Sequence, residues 1–150
     1  MSRKPRVLFL CTANACRSQM AEGWLRHLAG RRLESLSAGT HPTQLHPRVV
    51  SVMAEVGIDV ARQTSDPLEA YLEDPPDLVI AVCSAAAARC TSLPGRIPLL
   101  SWPFEDPADV RGSELEVLRA FRAVRDAIGE RLRAWLVAGC PGLPRDVPPR

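Results

Sequence analysis

The sequence has little of what marks membrane, secreted or nucleic-acid-binding proteins. No apolar run in its 150 residues approaches the length of a membrane span. Residues 1–5 lead directly into a predicted strand, which leaves no room for a secretory signal. The formal net charge is only +2, too small to indicate a nucleic-acid partner. We therefore expect a cytoplasmic protein with neither a membrane nor a nucleic acid as its partner.

The pattern of a structural zinc site is also missing. The five cysteines include no Cys-x2-Cys pair, and His27, His41 and His46 do not have the spacing of metal ligands. Cytosolic thiols stay reduced, so five cysteines favour thiol chemistry over structural disulfides. The sequence therefore predicts no metal ligands, and it directs attention to the cysteines as reactive groups.

One stretch carries the strongest chemical signal. An apolar run of strand formers over residues 7–10 ends at Cys11, and Arg17 follows with the spacing Cys-x5-Arg. A helical apolar stripe then begins, with members at Met20, Trp24, Leu25 and Leu28. The loop between strand and helix would gather backbone N–H groups and the positive helix end around one point, which favours an oxyanion. The same groups would stabilise a thiolate, so we expect Cys11 to ionise readily.

These residues have separate predicted roles in that loop. Cys11 is the candidate nucleophile, and Arg17 can hold two oxygens of a tetrahedral anion with its planar fork. Ser18 is expected to hydrogen-bond the Cys11 sulfur and stabilise it as a leaving group. We expect the Cys16 side chain to pack. The predicted substrate-binding loop consists of Thr12, Ala13, Asn14, Ala15, Cys16, Arg17 and Ser18.

Strands and helices alternate along the chain. Strands are predicted at residues 6–11, 33–37, 77–83 and 97–101, and helices at 17–29, 47–56, 68–72, weakly at 84–89, and from Ser113 onward. This order predicts one α/β domain over residues 1–150, with a three-layer, four-stranded parallel sheet flanked by helices. Residues 139–150 are predicted to form a loose tail, in which Cys140 has no expected role.

Parallel sheets bind ligands beyond the carboxyl ends of their strands, and Cys11, Cys83 and Asp106 all fall at that edge. Asp106 is a candidate general acid, and its alternative role is an exposed loop carboxylate or a helix cap. Cys83 and Cys90 on one helix would lie about 10 Å apart, too far for a disulfide unless the alanine-rich segment between them unwinds. A thiol relay would have Cys83 attack Cys11 and Cys90 attack Cys83. The alternative is two unrelated buried cysteines.

Several motifs together resemble the thioredoxin-coupled arsenate reductases, which are built on the low-molecular-weight tyrosine phosphatase fold. The matching residues are Cys11-Thr12-x-Asn14-x-Cys16-Arg17-Ser18-Gln19-Met20-Ala21-Glu22-Gly23, Ser37-Ala38-Gly39, Thr64-Ser65-Asp66, the pair Cys83 and Cys90, and Trp102-x-Phe104-x-Asp106-Pro107. The resemblance implies that Cys11 attacks arsenate while Asp106 protonates the departing hydroxide. It further implies that Cys83 releases arsenite, that Cys90 forms the Cys83–Cys90 disulfide, and that thioredoxin reduces this disulfide.

The resemblance also bears on ligands. Phosphate and sulfate would be analogues of arsenate, the protein is expected to be a monomer, and no cofactor is expected to be obligatory. Some relatives bind potassium, and the residues that match that site are Asn14, Glu22, Ser37, Thr64 and Asp66. Ala13 stands where relatives often have glycine, so we expect Asn14 to take the positive-φ position of the loop.

Three other functions stay open on the sequence alone. A tyrosine phosphatase would use the same loop, although Ala108 and Asp109 stand where the phosphatases of this fold carry tyrosines. A non-catalytic oxyanion or redox sensor would keep the cysteine pair without needing Asp106. A reductase that uses a small thiol, such as mycothiol or glutathione, would not need both Cys83 and Cys90.

Overall fold

The computed structural model describes residues 3–84, 93 and 95–144. The predicted weak helix, apart from Ser84, and Cys90 lie outside the described residues. The described chain contains four strands, β1 (Arg6–Cys11), β2 (Glu34–Gly39), β3 (Leu78–Ala81) and β4 (Leu99–Ser101). Its helices are α1 (Arg17–Ala29), α2 (Pro47–Ala54) and α3 (Glu114–Val137), with single 3-10 turns at Leu68–Tyr71 and Pro107–Asp109.

The strands form one parallel sheet in the order β2-β1-β3-β4. All six residues of β1 are buried, because this strand has a neighbour on each side and helices cover the sheet. The predicted four-stranded parallel α/β architecture is therefore confirmed. In the ranges that the structure describes, no helix combines the length and the apolar character needed to cross a membrane.

The helices pack where their apolar residues predict. In α1 the buried face includes Met20, Trp24 and Leu25, and in α3 it includes Phe121, Ile128, Leu132 and Trp135. A Cβ atom at Gly129 would lie 2.7 Å from the Trp24 ring, so a glycine is needed where α1 and α3 cross. Ser113 accepts a hydrogen bond from the Glu116 N–H at 3.2 Å and so caps α3, at the residue where the sequence predicts the long helix to begin.

The first residues after α3 differ from the predicted loose tail. The Cys140 N–H donates to the Trp135 carbonyl at 2.9 Å, and the Trp135 indole donates to the Pro141 carbonyl at 2.9 Å. Leu143 packs against the core. Capping bonds and one apolar side chain therefore hold residues 139–144, a segment that has no periodic pattern.

Candidate active site between β1 and β3

The loop at residues 12–16 joins the end of β1 to the start of α1, at the carboxyl edge of the sheet. Its carbonyls at Thr12, Ala13 and Ala15 accept hydrogen bonds of 2.8–3.1 Å from backbone N–H groups of residues 41, 43 and 46. Because a trans peptide unit directs its N–H opposite to its carbonyl, the N–H groups of these units point away from that segment. This orientation is the one that the predicted nest of donors requires.

Asn14 allows the loop to turn. Its φ is +47°, in the left-handed region that asparagine tolerates better than most residues, so the predicted positive-φ position is confirmed. Gly39 of β2 lies directly beneath, where a Cβ atom would come within 2.8 Å of the Thr12 carbonyl oxygen. The loop therefore depends on one residue that accepts positive φ and on one neighbour that has no side chain.

The side chain of Ser18 supports Asn14 rather than Cys11. Its hydroxyl donates to Asn14 Oδ1 at 2.6 Å, and both residues are buried. A serine hydroxyl has one proton, so the predicted donation from Ser18 to the Cys11 sulfur is wrong in this structure. The Gln19 amide adds a second support by donating to the Asn14 carbonyl at 2.9 Å. Sequence reasoning missed this role of Gln19, and its only signal was the place of Gln19 in the motif that begins at Cys11.

Cys11 and Cys83 come together because β1 and β3 are neighbours. Leu10 pairs with Ala81. Cys11 directly follows Leu10, Cys83 lies two residues after Ala81, and both cysteines are less than 5% exposed. The Thr12 hydroxyl lies 3.5 Å from Cys83 Sγ. The predicted juxtaposition of these two cysteines at one edge is present.

The thiol of Cys11 is not easily ionised in this arrangement. A hydrogen bond with the Cys83 side chain and burial raise the pKa of Cys11, whereas the Arg17 charge and the Thr12 backbone N–H lower it. The balance of these effects is a raised pKa, which is opposite in direction to the easy ionisation that the sequence predicts for Cys11.

The Arg17 side chain extends from the start of α1 toward the residues that follow β4. Its Nη1 donates to the Phe104 carbonyl at 3.0 Å, and its Nη2 lies 3.4 Å from Asp106 Oδ2. Its Nε, like Asn14 Nδ2, is buried without a hydrogen-bond partner among the described residues. Buried donors are rarely left unpaired. An oxyanion bound at Arg17 would give its Nε the partner that it lacks among the described residues.

Asp106 is a helix cap, which is one of its two predicted roles, and its position is compatible with the other role, that of a general acid. Its Oδ1 accepts a hydrogen bond from the Ala108 N–H at 3.0 Å and so caps the Pro107–Asp109 turn. Its Oδ2 faces Arg17, and the side chain is 30% exposed. Asp106 is therefore placed within reach of a group held by Arg17, and it keeps contact with solvent from which it can be reprotonated.

Cys16 is the third sulfur in the described loop region. It is 5% exposed and belongs to the hydrophobic core, in agreement with its predicted packing role. Burial, together with the nearby Asp106 charge, raises the pKa of Cys16 to about 12. Cys16 is therefore a protonated packing residue beside the candidate nucleophile.

The residues matched to a potassium site are only partly brought together. Glu22, Thr64 and Asp66 line a cavity of about 400 Å³ on the far side of the loop. Ser37 donates to Glu22 at 2.5 Å, and Thr64 donates to Asp66 at 2.7 Å. Among the residues that the structure describes, no group of three or more histidine, cysteine or acidic side chains could hold a metal ion.

Comparison with known proteins places this site in a family. The model of the low molecular weight phosphotyrosine protein phosphatase family matches residues 6–146, and the chain belongs to that family. More particularly, the chain is 42% identical over 133 residues to the arsenate reductase of Bacillus subtilis (strain 168), covering 89% of this chain and 96% of that protein. It is 40% identical over 136 residues to the arsenate reductase of Halalkalibacterium halodurans, covering 91% and 98%.

Solved structures agree with this placement. An arsenate reductase in its phosphate-binding state superposes with a TM-score of 0.76 at 34% identity, covering 89% of this chain and 98% of that one. An arsenate reductase in an oxidised state gives 0.70 at 33% identity, covering 89% and 97%. A low-molecular-weight tyrosine phosphatase from T. tengcongensis gives 0.75 at 25% identity, covering 90% and 99%. The resemblance that the sequence motifs indicated is therefore confirmed.

Proposed function

We propose that this protein reduces arsenate to arsenite through a relay of three cysteines that ends at thioredoxin. The observation that carries the proposal is the contact of Cys83 with both Cys11 and Thr12 at the start of the loop. A phosphatase needs one cysteine at this place, whereas a reductase needs a second sulfur next to the first. The names of the relatives, and the phosphate-binding and oxidised states of solved ones, support the same activity.

The first step is substitution at arsenic. The Cys11 thiolate attacks arsenate, a sulfur–arsenic bond forms, and an arsenic–oxygen bond breaks. The loop N–H groups and Arg17 stabilise the negative oxygens as charge builds up on them. Asp106 gives its proton to the departing hydroxide, which leaves as water. Burial raises the pKa of the Cys11 thiol. The thiol therefore loses its proton when arsenate binds, because an oxygen of the bound anion accepts it.

The second step is the reduction. Cys83 gives its proton to an oxygen of the arsenic group and attacks the Cys11 sulfur. A disulfide forms, and the sulfur–arsenic bond breaks with its electron pair remaining on arsenic. Arsenic(V) thereby becomes arsenic(III) and leaves as arsenite. Cys90 then attacks Cys83 and releases Cys11 as a thiol, and thioredoxin reduces the Cys83–Cys90 disulfide while its own two thiols are oxidised. The role of Cys90 follows from the sequence, since that residue lies outside the described part of the chain.

The test is arsenate-dependent consumption of NADPH in the presence of thioredoxin and thioredoxin reductase. We expect sustained consumption with arsenate, and only slow turnover of an aryl phosphate. Fast aryl phosphate turnover without arsenate reduction would establish a phosphatase instead. An equal rate of arsenate reduction with glutathione or mycothiol in place of thioredoxin would show that the reaction does not need the Cys83–Cys90 pair. Arsenate binding without any turnover would indicate a sensor.

A further inference from the structure

The cavity behind the loop contains a charge that the potassium expectation did not consider. It lies between α1, β2 and the segment over residues 59–66, and its lining includes Glu22, Arg26 and Asp66. Glu22 is buried, with its side chain 11% exposed. A buried carboxylate needs a positive partner or several hydrogen bonds, and the question is which group supplies the charge here.

Arg26 supplies it. One turn after Glu22 on α1, its Nη2 donates to Glu22 Oε2 and, at 3.2 Å, to the Ser35 carbonyl. Its Nη1 donates to Gln63 Oε1 at 2.8 Å. A carboxylate, a backbone carbonyl and an amide oxygen are the kinds of oxygen that a hard cation would use as ligands. The guanidinium therefore takes the position among these acceptors that a bound cation would otherwise need.

The residues matched to a potassium site do not fit that ion while Arg26 stays. The Glu22 oxygen that does not meet Ser37 is bonded to Arg26, and Asn14 Oδ1 already accepts from Ser18. A monovalent cation beside Glu22 would also lie next to the guanidinium and be repelled by it. We propose that Arg26 is a built-in substitute for a monovalent cation, so that the loop of this protein keeps its shape without potassium.

A continuous set of hydrogen bonds carries this support to the loop. Arg26 orients the Gln63 amide by bonding its oxygen, so the Gln63 nitrogen is free to donate to Gln19 Oε1 at 2.8 Å. The Gln19 nitrogen then donates to the Asn14 carbonyl at 2.9 Å. Arg26 touches no group in the loop itself. It is therefore a positioning residue, acting on Asn14 through two amides.

The experiment compares thermal unfolding in potassium chloride, sodium chloride and choline chloride at equal ionic strength. For the wild type, we expect midpoints that agree within about 1 °C in all three salts. For Arg26→Met, we expect a midpoint about 3 °C lower in choline chloride and a clear recovery in potassium chloride. Arg26→Lys keeps a positive charge and should stay insensitive to the choice of cation.

Arg122→Met is the matched control. Arg122 forms another partly exposed arginine–glutamate pair, with Glu55 at 2.6 Å, between α3 and α2 and away from the cavity. Its loss should lower the midpoint equally in all three salts. A second readout is calorimetric binding of inorganic phosphate, which should weaken several-fold for Arg26→Met in choline chloride and recover with potassium. This readout probes the loop and does not depend on arsenate being the substrate.

Two results would overturn the inference. One is a potassium-specific rise in the midpoint of the wild type, which would show that Arg26 leaves room for the ion. The other is an Arg26→Met protein without cation dependence in either readout. If Arg26→Met fails to fold in choline chloride, refolding in potassium chloride but not in choline chloride supports the proposal, and failure in both salts contradicts it. Arsenate reduction can succeed or fail independently of each of these results.

Discussion

The Thr12 hydroxyl lies 3.5 Å from the sulfur of Cys83, so the first residue of the anion-binding loop contacts the second cysteine directly. Thr12 follows Cys11, and β1 and β3 are paired neighbours. Thr12 and Cys83 lie within two residues of the ends of these strands, so the pairing of the strands brings them together. The sulfur of Cys83 is also close enough to Cys11 for a hydrogen bond between the two side chains to raise the pKa of Cys11. This is the geometric reason for assigning the chain a reductive step.

Removing Cys83 should make Cys11 more acidic. The hydrogen bond with Cys83 is the largest cause that raises the pKa of Cys11, and burial is the second. In Cys83→Ala the Arg17 charge and the Thr12 N–H, which lower the pKa, remain. We expect alkylation of Cys11 by iodoacetamide, followed by peptide mass spectrometry, to begin at a lower pH than in the wild type. Cys140→Ala should leave the profile in place, and an unchanged profile in Cys83→Ala would contradict the coupling of the two thiols.

Replacing the nucleophile should separate binding from chemistry. In Cys11→Ser we expect arsenite production to fall by at least about a thousand-fold, as for the loss of other catalytic nucleophiles. The loop N–H groups and Arg17 remain, so phosphate should still bind. Cys140→Ser, which changes a half-buried thiol after α3, should keep full activity. Measurable cycling by Cys11→Ser would assign the attack on arsenate to another group.

Asp106→Asn should slow the reaction while leaving the fold intact. Asparagine still caps the Pro107–Asp109 turn, but it cannot give a proton to the departing hydroxide. We expect arsenite formation in a single turnover to drop about 10²- to 10⁴-fold, which is the usual contribution of a general acid. Asp109→Asn, an exposed change in the same turn, is the matched control. Equal rates for the two variants would remove Asp106 from the mechanism.

Asn14 should matter for its backbone as well as for its side chain. Alanine at φ +47° costs about 1–2 kcal/mol, and the lost hydrogen bond from Ser18 costs about 1 kcal/mol more. Glycine accepts the same φ and loses only the side-chain contact. Urea unfolding should therefore show Asn14→Ala to be less stable than Asn14→Gly by about 1 kcal/mol. If the glycine variant were the less stable of the two, positive φ would not be the constraint at this position.

The sequence predicts the elements best where local pattern and burial agree. β1 and α1 lie over the predicted residues, because an apolar run of strand formers and a helical stripe are read directly from the side chains. The end of β2 was missed because Ala38 and Gly39 are poor strand formers. Their strand geometry comes from pairing with Leu10 and Cys11 of β1, which is a tertiary effect.

The site was predictable as a set of residues but not as a set of bonds. Ligands bind beyond the carboxyl ends of parallel strands, and this rule is enough to predict that Cys11 and Cys83 lie close together. Which acceptor the Ser18 hydroxyl chooses depends on distances of a few tenths of an ångström, and no spacing rule contains them. The role of Arg26 was missed for a similar reason, because its partners come from β2 and a distant loop as well as from its own helix.

The most direct test of the relay uses Cys90→Ser after a single exposure to arsenate. Peptide mapping without a reducing agent should reveal a Cys11–Cys83 disulfide, and arsenite should appear at about one molecule per chain because no resolving thiol remains. Cys83→Ser, treated in the same way, should form neither. Continued cycling of Cys90→Ser with thioredoxin, or arsenite release without a Cys11–Cys83 bond, would contradict the proposed order of the three cysteines.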